Sequence, residues 1–90
     1  MPYIKQSERD NLDEEISDLV DAIKLSSPLD GFEGKLNYSV TKLMLLLYGE
    51  PSYKKINNMI GVLECIKQEM YRRYAVTYED QKIITNGDVF

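Results

Sequence analysis

The stretch that decides the fold is SYKKINNMIGVLECIKQEMYRRYA, residues 52–75. Apolar side chains recur along it at steps of mostly three and four, the period of an amphipathic helix. These side chains are Ile56, Met59, Ile60, Leu63, Ile66, Met70 and Tyr74. Ser52 is a good N-cap, and the β-branched pair Val76 and Thr77 marks the expected end. We therefore predict one long helix over about residues 52–76, against which the rest of the chain packs.

Two residues inside this helix carry predictions of their own. Gly61 costs about 1 kcal/mol relative to alanine in a helix interior, which indicates the close approach of a ligand or, as the favoured interpretation, of another helix. Cys65 stands beside the apolar stripe. We interpret it as a buried structural thiol, because the chain has no histidine to activate a nucleophile.

Two shorter amphipathic helices precede the long one. Ser7 is a plausible N-cap for a helix over about residues 8–25, whose apolar stripe is Leu12, Ile16, Leu19, Val20 and Ile23. Proline and glycine then break the pattern in SSPLDGFEG, residues 26–34, where we interpret Phe32 as a plug on the core. The next periodic segment predicts a helix over about residues 35–48 that ends at Gly49.

The C-terminal segment YEDQKIITNGDVF, residues 78–90, is too apolar for a solvated tail. Asn86-Gly87 is a turn signal that is typical of hairpins. We predict a tail over residues 77–90 that folds back on the domain or onto a neighbouring subunit, with a short hairpin as one form. The predicted fold is all-α: a single three-helix, bundle-like domain over residues 1–90 with a folded-back C-terminal tail.

Length and charge bound the class of protein. Ninety residues make one domain with a modest core, so a homo-oligomer is expected. The net charge of −4 hides an acidic N-terminal third and a mildly basic middle. That basic excess is too weak for a nucleic-acid footprint. No apolar run is long enough to cross a membrane, and the start lacks the apolar stretch of a signal peptide, so cytoplasmic residence is expected.

Few residues offer catalytic chemistry. Glu15-x-x-Asp18 is a carboxylate pair of the kind that holds Mg²⁺ in all-helical nucleotide hydrolases. Glu64 and Glu69 are five residues apart and do not supply the second pair, so a solvated helix face is favoured. We therefore expect no enzyme activity, no metal and no cofactor.

A second stripe runs beside the apolar one on the long helix. It consists of Asn58, Val62, Cys65, Glu69 and Arg72. Tyr71, Arg72 and Arg73 stand near the predicted C-terminal end, where the helix dipole favours cations in any case. The alternative is an anion or aromatic-ligand site, because arginine binds phosphate and tyrosine stacks on flat groups.

Four phrases carry a resemblance: MPYI (1–4), LNYSVTKL (36–43), GVLECIKQEMYRR (61–73) and YEDQKIITNGDVF (78–90). With its MPYI start and YEDxK…NGDV ending, the chain resembles a family of small phage and bacterial proteins of unknown function. The resemblance brings no activity with it. It implies that polar residues in these phrases are important for function. It also raises the expectation of a role in the contest between phage and host.

Three functions remain open at the level of the sequence. The first is a non-catalytic binding protein, a phage-encoded anti-defence inhibitor that sequesters a nucleotide-like signalling molecule or a host protein. The second is a structural oligomerisation module, and the third, less favoured, is a Mg²⁺-dependent nucleotide hydrolase. The candidate ligand-binding residues are Asn37, Tyr38, Glu69, Arg72, Arg73, Tyr78 and Lys82.

Overall fold

The structure, a computed structural model, describes residues 1–29 and 31–90; Asp30, one of the acids of the N-terminal third, lies outside them. Helix α1 spans Gln6–Leu25, α2 spans Glu33–Tyr48 and α3 spans Tyr53–Met70. A π-helical turn over Tyr71–Ala75 follows without a break, and α4 continues over Val76–Asn86. The described residues contain no strand. The all-α class with three helical stretches is therefore confirmed.

The chain divides into two compact units. The N-terminal unit is Tyr3–Ser52, which holds α1 and α2. The C-terminal unit is Tyr53–Phe90 together with Met1–Pro2, and it holds α3, the π-helical turn and α4. Each unit is described by itself below, and the single domain over residues 1–90 stays a prediction.

Helix α1 begins earlier than the sequence predicts. Its N-cap is Lys5, and Ser7 lies inside the first turn. The Lys5 backbone N–H donates to Glu8 Oε2 at 3.1 Å, so a carboxylate at the third helical position satisfies a backbone group at the helix start. The Arg9 side chain donates to the Ile4 carbonyl at 2.8 Å and holds the leader against the same turn. These bonds move the helix start from about residue 8 to Gln6.

The connection between α1 and α2 is built by side chains that bond to backbone carbonyls. Ser26 Oγ donates to the Ala22 carbonyl at 2.7 Å, and Lys35 Nζ donates to the Ser26 carbonyl. Ser26 therefore gives a carbonyl in the last turn of α1 a side-chain hydrogen-bond donor. Lys35, from the first turn of α2, ties the two helices together at the loop.

The apolar side chains of the N-terminal unit are only partly covered. Val20 and Ile23 of α1 line a groove with Phe32 and Leu36 of α2, so Phe32 lies against apolar neighbours while it stays half-exposed. Met44 is the one side chain that is buried within the described residues. Helix α2 ends at Gly49, as predicted, where φ is +69° and ψ is −136°, a conformation that suits glycine.

The C-terminal unit corrects the predicted end of the long helix and the start of the tail. Helix α3 begins at Tyr53, directly after the predicted cap Ser52, but the helical backbone runs past Val76 to Asn86. Asn86-Gly87 therefore ends a helix and forms no hairpin. Gly87 has φ +91°, and its N–H donates to the Ile83 carbonyl at 2.9 Å. A glycine with positive φ closes a helix as readily as it forms a hairpin turn, so the dipeptide alone could not decide between the two.

No close neighbour of Gly61 is found among the described residues, and Cys65 differs from its prediction. Apart from its chain neighbours and the backbone of its own helix, a Cβ added at Gly61 would meet no described atom within 4 Å. Cys65 is exposed, since it lies on the polar side of α3, about 160° around the axis from Leu63. Its place in the sequence next to residues of the apolar stripe was therefore not enough to predict burial. In residues 1–29 and 31–90, no helix combines the length and apolar content that crossing a bilayer requires.

Candidate functional site in the π-helical turn

The π-helical turn, Tyr71–Ala75, has the sequence YRRYA. It therefore holds the two arginines that the sequence singles out, between two tyrosines. A π turn closes hydrogen bonds five residues apart and is frequent at functional sites. The Val76 N–H donates to the Tyr71 carbonyl in this way. The Thr77 hydroxyl also donates to the Arg73 carbonyl at 3.1 Å, so a side chain supports the widened backbone.

The widened turn brings Arg73 and Tyr78 to one depression in the helix surface. In a regular α-helix, residues five apart lie about 140° apart around the axis. The π turn reduces this angle because each of its residues advances less around the axis. Tyr74, Thr77, Glu79 and Gln81 complete the lining with Ala75, and the depression has a volume of about 510 Å³.

Arg72 is paired with a carboxylate, whereas the Arg73 side chain is not. Its Nη2 lies 2.6 Å from Glu69 Oε1, a pair with i, i+3 spacing. Arg72 remains largely exposed, so this ion pair contributes about 0.3–0.5 kcal/mol. The Arg73 guanidinium, in contrast, has no hydrogen bond or ion pair to any described residue. Of the two adjacent guanidinium groups, Arg73 is the one available to an anion.

Lys82 lies over the ring of Tyr78, with 5.4 Å between Nζ and the ring centroid. This cation–π contact places a second positive charge next to the residue that lines the depression with Arg73. Lys82 also lines a separate depression with Tyr71, Glu79, Ile83 and the C-terminal residues Asn86–Phe90. Glu79 lines both depressions, which therefore adjoin on the same helical stretch.

The other polar group on this helix precedes the π turn. Lys67 Nζ lies 3.1 Å from Glu64 Oε1, and Gln68 Nε2 donates to the same oxygen at 3.2 Å. These contacts, the hydrogen bond from Lys67 first, lower the pKa of Glu64 below its ordinary value of 4.5. Glu64 is thus a paired carboxylate in an exposed position.

The seven predicted site residues fall into separate groups. Arg73 and Tyr78 share one depression, Lys82 stacks on Tyr78, and Arg72 pairs with Glu69. Asn37 and Tyr38 belong to α2, in the N-terminal unit. Thr41 Oγ1 donates to Asn37 Oδ1 at 3.4 Å, and Tyr38 is exposed.

Sequence reasoning missed Tyr74, Thr77, Glu79 and Gln81 as lining residues. The predicted helix ended at about residue 76, which put the later three in the tail. Tyr74 belongs to the predicted apolar stripe. The signal that could have found them is the continued spacing of Tyr74, Tyr78 and Lys82, which keeps helical steps of four beyond the predicted end.

The carboxylates that the hydrolase hypothesis needs are not clustered. No group of three or more His, Cys, Asp or Glu side chains in residues 1–29 and 31–90 is placed to hold a metal ion. Glu15 and Asp18 lie on α1, while Glu64 and Glu69 are held by Lys67 and Arg72. A metal at the latter pair would have to displace both ion pairs.

Comparison with known proteins places the chain in a family. Residues 1–89 match a family described as "Domain of unknown function (DUF6899)". The chain belongs to this family. Because the match covers almost the whole sequence, the π-helical turn and both helices beside it are part of the DUF6899 domain. No curated protein and no solved structure matches the chain.

Proposed function

We propose that this DUF6899 chain is a binding protein without catalysis, and that it captures a small anionic ligand with a flat ring at the π-helical turn. The observation that carries the proposal is the shared depression of Arg73 and Tyr78, with Tyr74 beside them. A guanidinium group binds phosphate through two parallel hydrogen bonds, and a tyrosine ring offers a stacking surface. A nucleotide-like signalling molecule combines both chemical groups.

The charges around the depression suit a ligand of mixed character. Arg73 has no described partner and Lys82 adds a positive charge at Tyr78, which favours phosphate. Glu79 lines the same depression and can accept a hydrogen bond from a ribose hydroxyl or a base amino group. Inorganic phosphate offers neither a ring for Tyr78 nor an amino group for this carboxylate, so a nucleotide is the better fit.

In biological terms, we propose a phage-encoded protein that works in the host cytoplasm as an anti-defence inhibitor. Sequestration needs affinity and abundance but no catalytic residue, which agrees with a histidine-free chain. The resemblance of its MPYI start and NGDV ending to phage proteins supports this origin. The Glu69–Arg72 pair, next to the π-helical turn, is the further polar group that we assign to ligand binding. Asn37 and Tyr38 lie on α2 in the N-terminal unit, and their part in ligand binding stays a prediction from the sequence.

The test is isothermal calorimetry with cyclic and linear nucleotides, with inorganic phosphate as the comparison. We expect a nucleotide to bind, and the substitution Arg73→Gln to weaken binding by about 10- to 100-fold, the value of a hydrogen bond to a charged group. Lys54→Gln, at the other end of α3, removes the same charge and serves as the control. Absence of binding by every nucleotide, or equal affinity for Arg73→Gln and the unsubstituted protein, overturns ligand capture at this turn.

A structural oligomerisation module is the second candidate, and the exposure of apolar side chains favours it. Leu46 and Leu47 of α2 are 71% and 73% exposed, and Ile84 of α4 is 85% exposed. Isolated exposed leucines are ordinary, but three consecutive ones, Leu45–Leu47, at the end of one helix are typical of an interface. Deletion of residues 78–90 is expected to break such an assembly in sedimentation. An assembly that survives the deletion counts against this candidate.

A further inference from the structure

The apolar stripes of α1 and α3 remain about half open in the folded chain. Along α1, Leu12, Ile16, Leu19 and Val20 are 41–56% exposed. Along α3, Ile56, Ile60, Ile66 and Met70 are 43–64% exposed. On α3 these residues, with the less exposed Leu63 between Ile60 and Ile66, recur at steps of three and four. The α1 residues follow the same period, so each helix has one continuous apolar face. Amphipathic helices gain most of their stability when such a face is covered.

The two helices carry opposite charge. Between Gln6 and Leu25, seven acidic residues stand against Arg9 and Lys24. Helix α3 itself carries three basic residues, Lys54, Lys55 and Lys67, against Glu64 and Glu69, and the π-helical turn that continues it adds Arg72 and Arg73. Pairing two copies of α1 would oppose two acidic helices, and pairing two copies of α3 would oppose two basic ones. Of these three pairings, only α1 against α3 brings unlike charges together.

We propose that a second copy of this chain covers both stripes at once, with α1 of each copy packed on α3 of the other. Each chain supplies one acidic and one basic helix, so a twofold axis generates two equivalent contacts and leaves no unpaired copy of either face. This pairing goes beyond ligand capture and does not depend on it. It also requires no part of residues 78–90.

Particular charges flank each stripe and define the contact. On α1, Asp13 and Glu15 lie on either side of Ile16, each within about 100° around the axis. On α3, Lys55 and Lys67 flank Leu63 in the same way. Lys67 is paired with Glu64 in the single chain, but the pair is well exposed and therefore weak enough to be exchanged for a partner's carboxylate.

The experiment exchanges the charges between the two faces. One variant carries Asp13→Lys with Glu15→Lys, and the other carries Lys55→Glu with Lys67→Glu. Each alone would oppose like charges in both contacts of its dimer. We expect each to dissociate about 100-fold more readily than the unsubstituted dimer in sedimentation velocity at low salt. An equimolar mixture restores unlike charges in both contacts, so a 1:1 heterodimer should form and should be seen by native mass spectrometry with one variant isotope-labelled.

Two controls separate this contact from folding and from net charge. Glu14→Lys with Asp18→Lys changes the charge of α1 by the same amount, but on the face away from Ile16, and should leave the dimer intact. The chain with all four flanking substitutions should fold, by circular dichroism, and dimerise with itself. At 1 M NaCl the difference between the variants and the unsubstituted protein should shrink, because screening shortens the range of charge interactions to about 3 Å.

The proposal fails on any of three results. The first is an unsubstituted chain that sediments as a monomer at about 100 μM, a concentration above the dissociation constant of a stable homodimer. The second is an assembly larger than a dimer. The third is a mixture of the two charge-exchanged variants that stays monomeric while the four-substitution chain folds, which would mean that α1 and α3 pair within one chain.

Discussion

At the residue scale, Gly61 is the position where sequence and structure disagree most usefully. Its backbone is ordinary helix, and a Cβ there would meet no described atom beyond its chain neighbours and its own helix backbone, so none of the described residues requires glycine at this position. We expect Gly61→Ala to raise the free energy of unfolding by about 1 kcal/mol, the difference in helix propensity. Chemical denaturation followed by circular dichroism measures this change.

The matched control for Gly61→Ala is Gly87→Ala. Gly87 has φ +91°, which strains any L-residue, so this substitution should destabilise the protein while adding the same methyl group. A loss of stability at Gly61 would show instead that another molecule packs on this face. The proposed dimer contact uses the opposite side of α3, and Gly61→Ala should leave the dimer unchanged.

Glu64 is a second residue with a measurable property. Hydrogen bonds from Lys67 and Gln68 lower its pKa in the folded protein, so the folded state binds this proton less tightly than the unfolded state does. The stabilisation is present above the unfolded pKa and is lost as the pH falls through the folded pKa. An NMR titration of the Glu64 carboxyl should give a midpoint below 4.5. Lys67→Met should move that midpoint upward, and an unchanged midpoint would remove Lys67 as the cause.

At the scale of the element, the start of α1 depends on one carboxylate. Glu8 accepts the Lys5 N–H, and no serine cap is involved. We expect Glu8→Ala to destabilise the N-terminal unit by about 1 kcal/mol, in the range of lost helix caps. Glu14→Ala, on the same helix without a cap contact, is the control, and thermal melts by circular dichroism compare the two. Equal melting temperatures for both variants would mean that the cap contributes nothing.

Periodicity predicted the helices but not their ends. The apolar steps along α1, α2 and α3 are properties of the chain itself, and all three helices form where those steps predict them. The ends depend on single hydrogen bonds, such as Lys5 to Glu8 and Gly87 to Ile83, which local composition does not distinguish from turns. The π turn is harder still to predict, because no pattern of residue types in YRRYA indicates its one extra backbone position. For this reason Arg73 and Tyr78 were named from the sequence, while their common depression was not.

At the scale of the whole molecule, stability and association should be coupled. Within the described residues only Met44 is buried, and the stripes of α1 and α3 offer apolar surface that a partner can cover. A folded dimer that unfolds to two chains becomes more stable as protein concentration rises, by mass action. With an unfolding entropy of about 2.1 cal/mol/K per residue for two chains, the melting temperature should rise by about 4 °C for each tenfold increase in concentration. Calorimetry over two decades of concentration measures this slope. A melting temperature that does not change with concentration would identify a chain that folds alone, and the exposed stripes would then have to be covered by something other than a second copy.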